Sequence, residues 1–219
     1  FCDIFAGTGV VGQYFNRPDT KIISNDILDS SYTSLQCWLT TKNYNKEKIT
    51  NLINYLKDLQ PKKENYVSEK FGGSYFTKEN ALKIGAIREE IEKLDEKEKI
   101  NKEEKNILLT SLIYAMDKVA NTVGHYETYR KKLDTIQSLK LLVPDIDIKN
   151  NANNEIHQKD ANQLVREIKC DVLYIDPPYN SRQYGDSYHL LENIITWKKP
   201  RVEGVGKKMA ERNHLKSRY

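Results

Sequence analysis

The stretch Asp171-Val-Leu-Tyr-Ile-Asp-Pro-Pro-Tyr179 constrains this chain more than any other. Val172 to Ile175 is a short apolar run, suited to a buried parallel strand. The run stops at Asp176-Pro177-Pro178-Tyr179, because two consecutive prolines offer no N–H to a ladder. Pro177 also drives Asp176 into an extended conformation. A carboxylate, a stiff carbonyl-only backbone and an aromatic ring therefore emerge together at the carboxyl end of a strand. In an open α/β sheet, ligands bind there.

The N-terminal residues supply a second half. Cys2 to Phe5 reads as a short strand, and Ala6-Gly7-Thr8-Gly9-Val10-Val11-Gly12 as a turn running into a helix. Such glycines let a backbone approach a ligand closely. Lys21 to Asp26 reads as a second strand ending in an acid, and Asp26 follows Gly7 by 19 residues. That spacing presents a carboxylate to ribose hydroxyls. Alternatively, Gly7 and Gly9 serve only the turn and Asp26 is a solvated strand end. Glu155 to Asp160 reads as a further strand, with Asp160 and Gln163 in the spacing of a helix capping box. A capping Asp160 and a ligand-binding Asp160 are compatible. With Asp171–Ile175 the sheet has four strands, and the expected fold is α/β, a doubly wound, mostly parallel Rossmann-like sheet.

Between these halves the α/β rhythm disappears. Ser30 to Tyr44 predicts a helix with Leu35, Trp38 and Leu39 inward. Ile49, Leu52, Ile53, Leu56 and Leu59 predict a helix that Pro61 ends. Phe71 to Phe76 predicts an aromatic loop. Ile84, Ile87, Ile91 and Leu94 predict a long helix, and Leu108, Leu112, Ala115, Met116, Val119 and Val123 another, stopped near Gly124. From Arg88 to Lys105, six basic and eight acidic residues predict a solvated, salt-bridged face. Residues 46–145 thus form a helical insertion, and residues 1–45 with 146–219 form one sheet domain. Asn121 to Tyr129 packs Asn, His and two Tyr beside a glycine, a loop suited to a planar polar group. His125 alone reads equally well as an ordinary surface histidine.

Composition narrows the class. The chain of 219 residues is 38% apolar and 30% charged, which allows a substantial core. No apolar run approaches the length of a membrane span. Cys2, Cys37 and Cys170 sit in no metal spacing and read as free thiols of a reducing, cytoplasmic protein. Net charge is +4, yet residues 198–219 carry eight Lys/Arg against two acids, leaving about −2 for the rest. Such a tail, with Lys207, Lys208 and Arg212, is expected to contact a polyanion or to be a solvated segment. Phe1 opens on the end of a strand and Tyr219 closes on a charged stretch, so the chain reads as cut at both ends from a longer protein.

Asp3-x-Phe5-x-Gly7-x-Gly9 with Asp176-Pro-Pro-Tyr179 resembles the S-adenosylmethionine-dependent amino-methyltransferases, specifically the adenine-specific DNA methyltransferases of restriction–modification systems. Asn25-Asp26, Tyr75-Phe76-Thr77, Ala120-Asn121-Thr122 with Gly124, Arg182-Gln183-Tyr184 and Tyr188-His189 are similar to its D12-like class. The resemblance spans nearly the whole chain. It implies S-adenosyl-L-methionine as cofactor, with Asp3, Phe5, Gly7 and Gly9 at its methionine end, Asp26 on the ribose and Asp160 at its adenine. It implies Asp176, Pro177, Pro178 and Tyr179 as the catalytic set, double-stranded DNA as substrate, and the insertion as the target-recognition region. A cognate restriction endonuclease would share the recognition sequence.

The motif's chemistry agrees with that resemblance. The adenine amino nitrogen is a poor nucleophile because its lone pair is delocalised into the ring. Acceptors for both N–H groups, the Asp176 carboxylate and the Pro177 carbonyl, favour a pyramidal nitrogen. The target base must leave the duplex to reach them, and Tyr179, Tyr126 and Tyr184 are candidates to hold it. Three alternatives stay open. One is methylation of cytosine, RNA or a protein glutamine. Another is an NAD(P)-dependent oxidoreductase, since Gly7 to Gly12 also satisfies G-x-G-x-x-G. The last is a DNA-binding module without catalysis.

Overall fold

The computed structural model describes residues 1–134, 137–178 and 184–211. Four parallel strands, β1 (Cys2–Asp3), β2 (Ile23–Asn25), β3 (Glu155–His157) and β4 (Leu173–Tyr174), form one sheet in the order β3-β2-β1-β4. Cys2 lies opposite Ile23 on one side and Leu173 on the other, and Asn25 lies opposite His157. This parallel α/β arrangement is the one expected. The carboxyl ends of all four strands meet at one edge, which positions the site.

Between β1 and β2 the chain forms helix α1 (Val10–Phe15), and after β2 helix α2 (Asp29–Leu35) runs into a π-helical turn, Gln36–Thr40. Leu35 and Leu39 are buried against Ile22 and Ala6. The expected helix to Tyr44 therefore ends early. Thr40 Oγ1 donates to the Gln36 carbonyl at 2.9 Å, drawing a side chain into the ladder and loosening the last turn.

Helices α3 (Lys46–Asp58), α4 (Tyr66–Phe71), α5 (Lys78–Glu96) and α6 (Lys102–Val119) follow. Each has an Asn or Thr N-cap accepting from a backbone N–H of its first turn. Their apolar faces form the largest core, which also takes in Cys37 and Leu190, Ile194 and Ile195. The stretch from Phe71 to Phe76 is part of this core, with Phe71, Tyr75 and Phe76 fully buried.

Two expectations for this block are corrected. Arg88 and Glu104 leave the solvated face, at 1% and 5% exposure. Arg88 donates from Nε to the Ile194 carbonyl and from Nη2 to that of Ile195, pairs with Glu92, and lies over the Trp197 ring. Val123 is 69% exposed rather than helical. Asn121 turns the chain away after Val119, because its N–H donates to the Tyr75 carbonyl and its side chain to those of Ser74 and Arg130.

The chain returns to the sheet through buried asparagines. Asn151 donates to the Trp38 and Thr41 carbonyls, Asn154 to that of Leu39, and Asn154 Oδ1 accepts from the Ile22 N–H. After β3 come α7 (Ala161–Leu164) and β4, then α8 (Tyr184–Ser187), α9 (His189–Thr196) and an antiparallel hairpin, β5 (Val202–Glu203) with β6 (Lys208–Met209). β4 corrects the expectation of a buried strand. Among the described residues it pairs only with β1, and Val172 and Ile175 are 54% and 56% exposed. Among the described residues, no helix is long and apolar enough to cross a membrane.

Candidate active site

A cleft at the carboxyl ends of the strands is lined by Phe5, Asp26, Asp160, Pro178 and Tyr184, together with Asn25 and Lys159. Residues separated by as much as the length of the sheet domain are thus brought to one place. The turn after β1 explains how. Gly9 caps α1 at φ 81°, and a Cβ there would meet Leu35 Cδ2 at 2.7 Å. Gly12 lets the helix settle on β2, since a Cβ would lie 3.0 Å from Ser24 Oγ and 3.1 Å from Leu39 Cδ1. Close helix–sheet contact is the role of a third glycine in such a turn.

Asp26 locks this turn to β2. Its Oδ2 accepts from the Gly7 N–H and its Oδ1 from the Leu28 N–H, each at 2.9 Å. It is 8% exposed, and burial pushes its carboxyl above the ordinary carboxylate range against the pull of those N–H groups. Asn25 ties three strand ends together. Its side chain donates to the carbonyls of Ile4 and Lys159 and accepts from the Lys159 N–H.

Asp3 lies beneath the cleft at 1% exposure, with Oδ1 accepting from the Phe5 N–H at 3.3 Å. Its pKa is raised to about 6, chiefly by burial and further by the charges of Asp26 and Asp176. With Asp26 and Asp160 on its wall, the cleft is acidic, and its field favours a cationic ligand. Asp176 itself is exposed, with Pro177 and Pro178 half-buried beside it. Asp160 caps α7 by accepting from the Asn162 N–H at 2.9 Å, so its partner is one residue earlier than the box with Gln163 requires.

Three other expected site residues are elsewhere. Tyr126 is 1% exposed in the core, its hydroxyl on Asp117 at 3.3 Å and its N–H on the Ser187 carbonyl, so its ring offers no face to a base. Lys207 and Lys208 belong to the β5–β6 hairpin and are engaged internally. Lys207 Nζ donates to the Lys70 carbonyl at 2.6 Å and to Ser74 Oγ at 2.9 Å, and burial lowers its pKa. Lys208 pairs with Asp186 at 3.5 Å and Glu127 at 3.9 Å. Tyr179 and Arg212 lie outside the described residues.

Sequence reasoning assigns no role to Glu192, which the structure places at the hinge between α9 and α2. Its oxygens accept from the N–H groups of Asp29 and Ser30, both at 2.8 Å. The available signal is a carboxylate inside an apolar helix, which must find partners. Among the described residues no group of three His, Cys, Asp or Glu is placed to hold a metal ion.

A parallel sheet with a glycine turn, a carboxylate-rich cleft and an Asp-Pro-Pro strand end defines the nucleotide-dependent α/β class. Comparison with known proteins is more specific. The profile of the D12 class N6 adenine-specific DNA methyltransferases matches residues 1–215, and this chain belongs to that family. It is 36% identical over 234 residues to the modification methylase StsI of Streptococcus sanguinis, covering 100% of this chain and 35% of that protein. It is 35% identical over 231 residues to the type II methyltransferase M.NlaIII of Neisseria lactamica, covering 100% of this chain and 66% of that protein. Against the type II methyltransferase M.FokI of Planomicrobium okeanokoites it is 35% identical over 219 residues, covering 93% and 34%. The chain thus spans between about a third and two thirds of these relatives. No solved structure matches it. Family membership sets aside the oxidoreductase alternative.

Proposed function

We propose that this chain carries the catalytic site of an enzyme that methylates the exocyclic amino group of adenine in a specific sequence of double-stranded DNA, with S-adenosyl-L-methionine as donor. The observation that carries this reading is the cleft at the carboxyl ends of parallel strands, where Asp26 and Asp160 meet Phe5 and Pro178 of the Asp-Pro-Pro strand end. Those carboxylates suit a donor that bears both a sulfonium and an ammonium charge. When bound, that donor supplies a methyl group already activated for displacement.

The chain's own residues do the rest. Phe5 and the Gly7–Gly9 turn face the donor's amino-acid end, Asp26 the ribose hydroxyls, and Asp160 the far end of the cleft. Asp176 accepts one amino hydrogen of a flipped adenine, and the Pro177 carbonyl accepts the other. Together they favour a pyramidal nitrogen whose lone pair points at the donor. The positive charge that develops on that nitrogen is stabilised by Asp176. Alignment of the two reacting atoms contributes a large share of the rate. Tyr184, on the cleft wall, and Tyr179, next in the chain, hold the base. The helical insertion, residues 46–145, reads the DNA sequence. A companion restriction endonuclease of the same specificity belongs to the same reading.

The test is nucleoside analysis of DNA incubated with the full-length protein and a methyl-labelled donor. Label in N6-methyladenine is expected. Label in methylcytosine, or tight NADH binding with no donor binding, contradicts this reading.

A further inference from the structure

We propose that Glu192 is a positioning residue for the donor-binding turn, coupling the helix that follows the Asp-Pro-Pro-Tyr strand to the loop that carries Asp26. The proposal rests on the functional reading above. Glu192 sits on α9, 1% exposed, and is separated by more than 160 residues from the N–H groups it holds. Its Oε2 accepts from Asp29 and its Oε1 from Ser30, the first two residues of α2.

The adjoining carboxylate makes the connection continuous. Leu28 N–H is held by Asp26 Oδ1, and Gly7 N–H by Asp26 Oδ2. From Gly7 to Ser30, four backbone N–H groups are thus fixed by two buried carboxylates, one from each half of the site. Each carboxyl group holds two of them, one at each oxygen. Tyr184, a cleft residue, lies eight residues before Glu192 on the short α8–α9 segment. A shift of α9 would therefore move the Asp26 loop and the cleft wall together.

The other end of α9 supplies a second handle. Arg88, from the insertion, holds the carbonyls of Ile194 and Ile195. Arg88→Met should free that end of α9 and loosen the Asp26–Ser30 backbone through the helix, less than the loss of Glu192 itself.

The experiment uses the full-length protein in wild-type, Glu192→Gln, Glu192→Asp and Arg88→Met forms. Two readouts are amide hydrogen exchange of the peptide containing Asp26 to Ser31, without ligand, and affinity for S-adenosylmethionine by calorimetry. Glu192→Gln is expected to speed exchange in that peptide and weaken donor binding about tenfold. DNA affinity should stay within about twofold, and Arg88→Met should move both readouts in the same direction as Glu192→Gln but by less. Glu192→Asp, which keeps two acceptor oxygens, should recover part of the loss. Unchanged exchange and unchanged donor affinity in a folded Glu192→Gln protein would overturn the proposal alone. A wild-type protein that binds no donor would overturn the functional reading and this assignment with it. If Glu192→Gln does not fold, Glu192→Asp carries the same two readouts, and wild-type values in both overturn the proposal.

Discussion

The two halves of the cleft are built differently. On the donor side, Asp26 is 8% exposed and both its oxygens accept from backbone N–H groups. Asn25 closes three strand ends with three hydrogen bonds. On the substrate side, β4 is an exposed edge strand and Asp176 stands open to solvent. On the proposed reading, the difference means that the donor side is fixed by the fold's own hydrogen bonds, whereas Asp176 is left open to meet a base from another molecule. A preformed site saves ordering cost on binding. An exposed carboxylate keeps its hydration until the base displaces it.

The largest expected effect is on the preformed side. Gly9→Ala places a Cβ at φ 81° and 2.7 Å from Leu35 Cδ2. It should cost about 1–3 kcal/mol of stability, seen in the urea midpoint, and weaken donor binding more than DNA binding. Equal losses in both would break the distinction between the halves.

A pH titration sharpens it. Burial raises Glu192 to about 7 and Asp3 to about 6, against ordinary values of 4.5 and 3.8. A carboxyl raised by folding holds its proton longer in the native state than in the unfolded one. Its contribution to stability is complete below the unfolded value and is lost as pH rises through the folded value. The thermal midpoint should therefore fall between about pH 4 and about pH 7, and Glu192→Gln should flatten the upper part of that fall. A midpoint that rises across this range in both proteins would contradict the burial of these acids.

The smallest effect concerns Lys207 and Lys208. Both are engaged inside the fold, so replacing them with Ala should cost about 1 kcal/mol of stability and leave the salt slope of DNA binding unchanged. A slope reduced by about two would return them to the phosphate-contacting role that their sequence context suggests.

Much of this was legible in the residues because it rests on local rules. Gly7, Gly9 and Gly12 predict a tight strand-to-helix turn. Pro61 predicts a stop for α3, and Ile84, Ile87 and Ile91 a buried helical stripe. Charge counting failed where tertiary contacts override it. Arg88 reads as one cation of a solvated run, yet it is buried because two α9 carbonyls and the Trp197 ring await it. Lys207 reads as part of a basic tail, yet a hairpin turns it inward. Tyr126 reads as a base-stacking aromatic beside a glycine, and the core claims it. The Asn151 and Asn154 network gives no sequence signal, since its partners are backbone carbonyls more than a hundred residues away. Asp176 is the reverse case: two prolines announce it, and its role depends on a partner molecule.

The central claim is that Asp176 acts on the target amino group and not in holding the fold or the DNA. The direct test pairs single-turnover methyl transfer with DNA affinity for full-length wild-type and Asp176→Ala proteins. Transfer should fall about 10²–10³-fold, with DNA affinity and thermal midpoint near wild type. Transfer within a few-fold of wild type, or a loss that only tracks weakened DNA binding, would contradict the account.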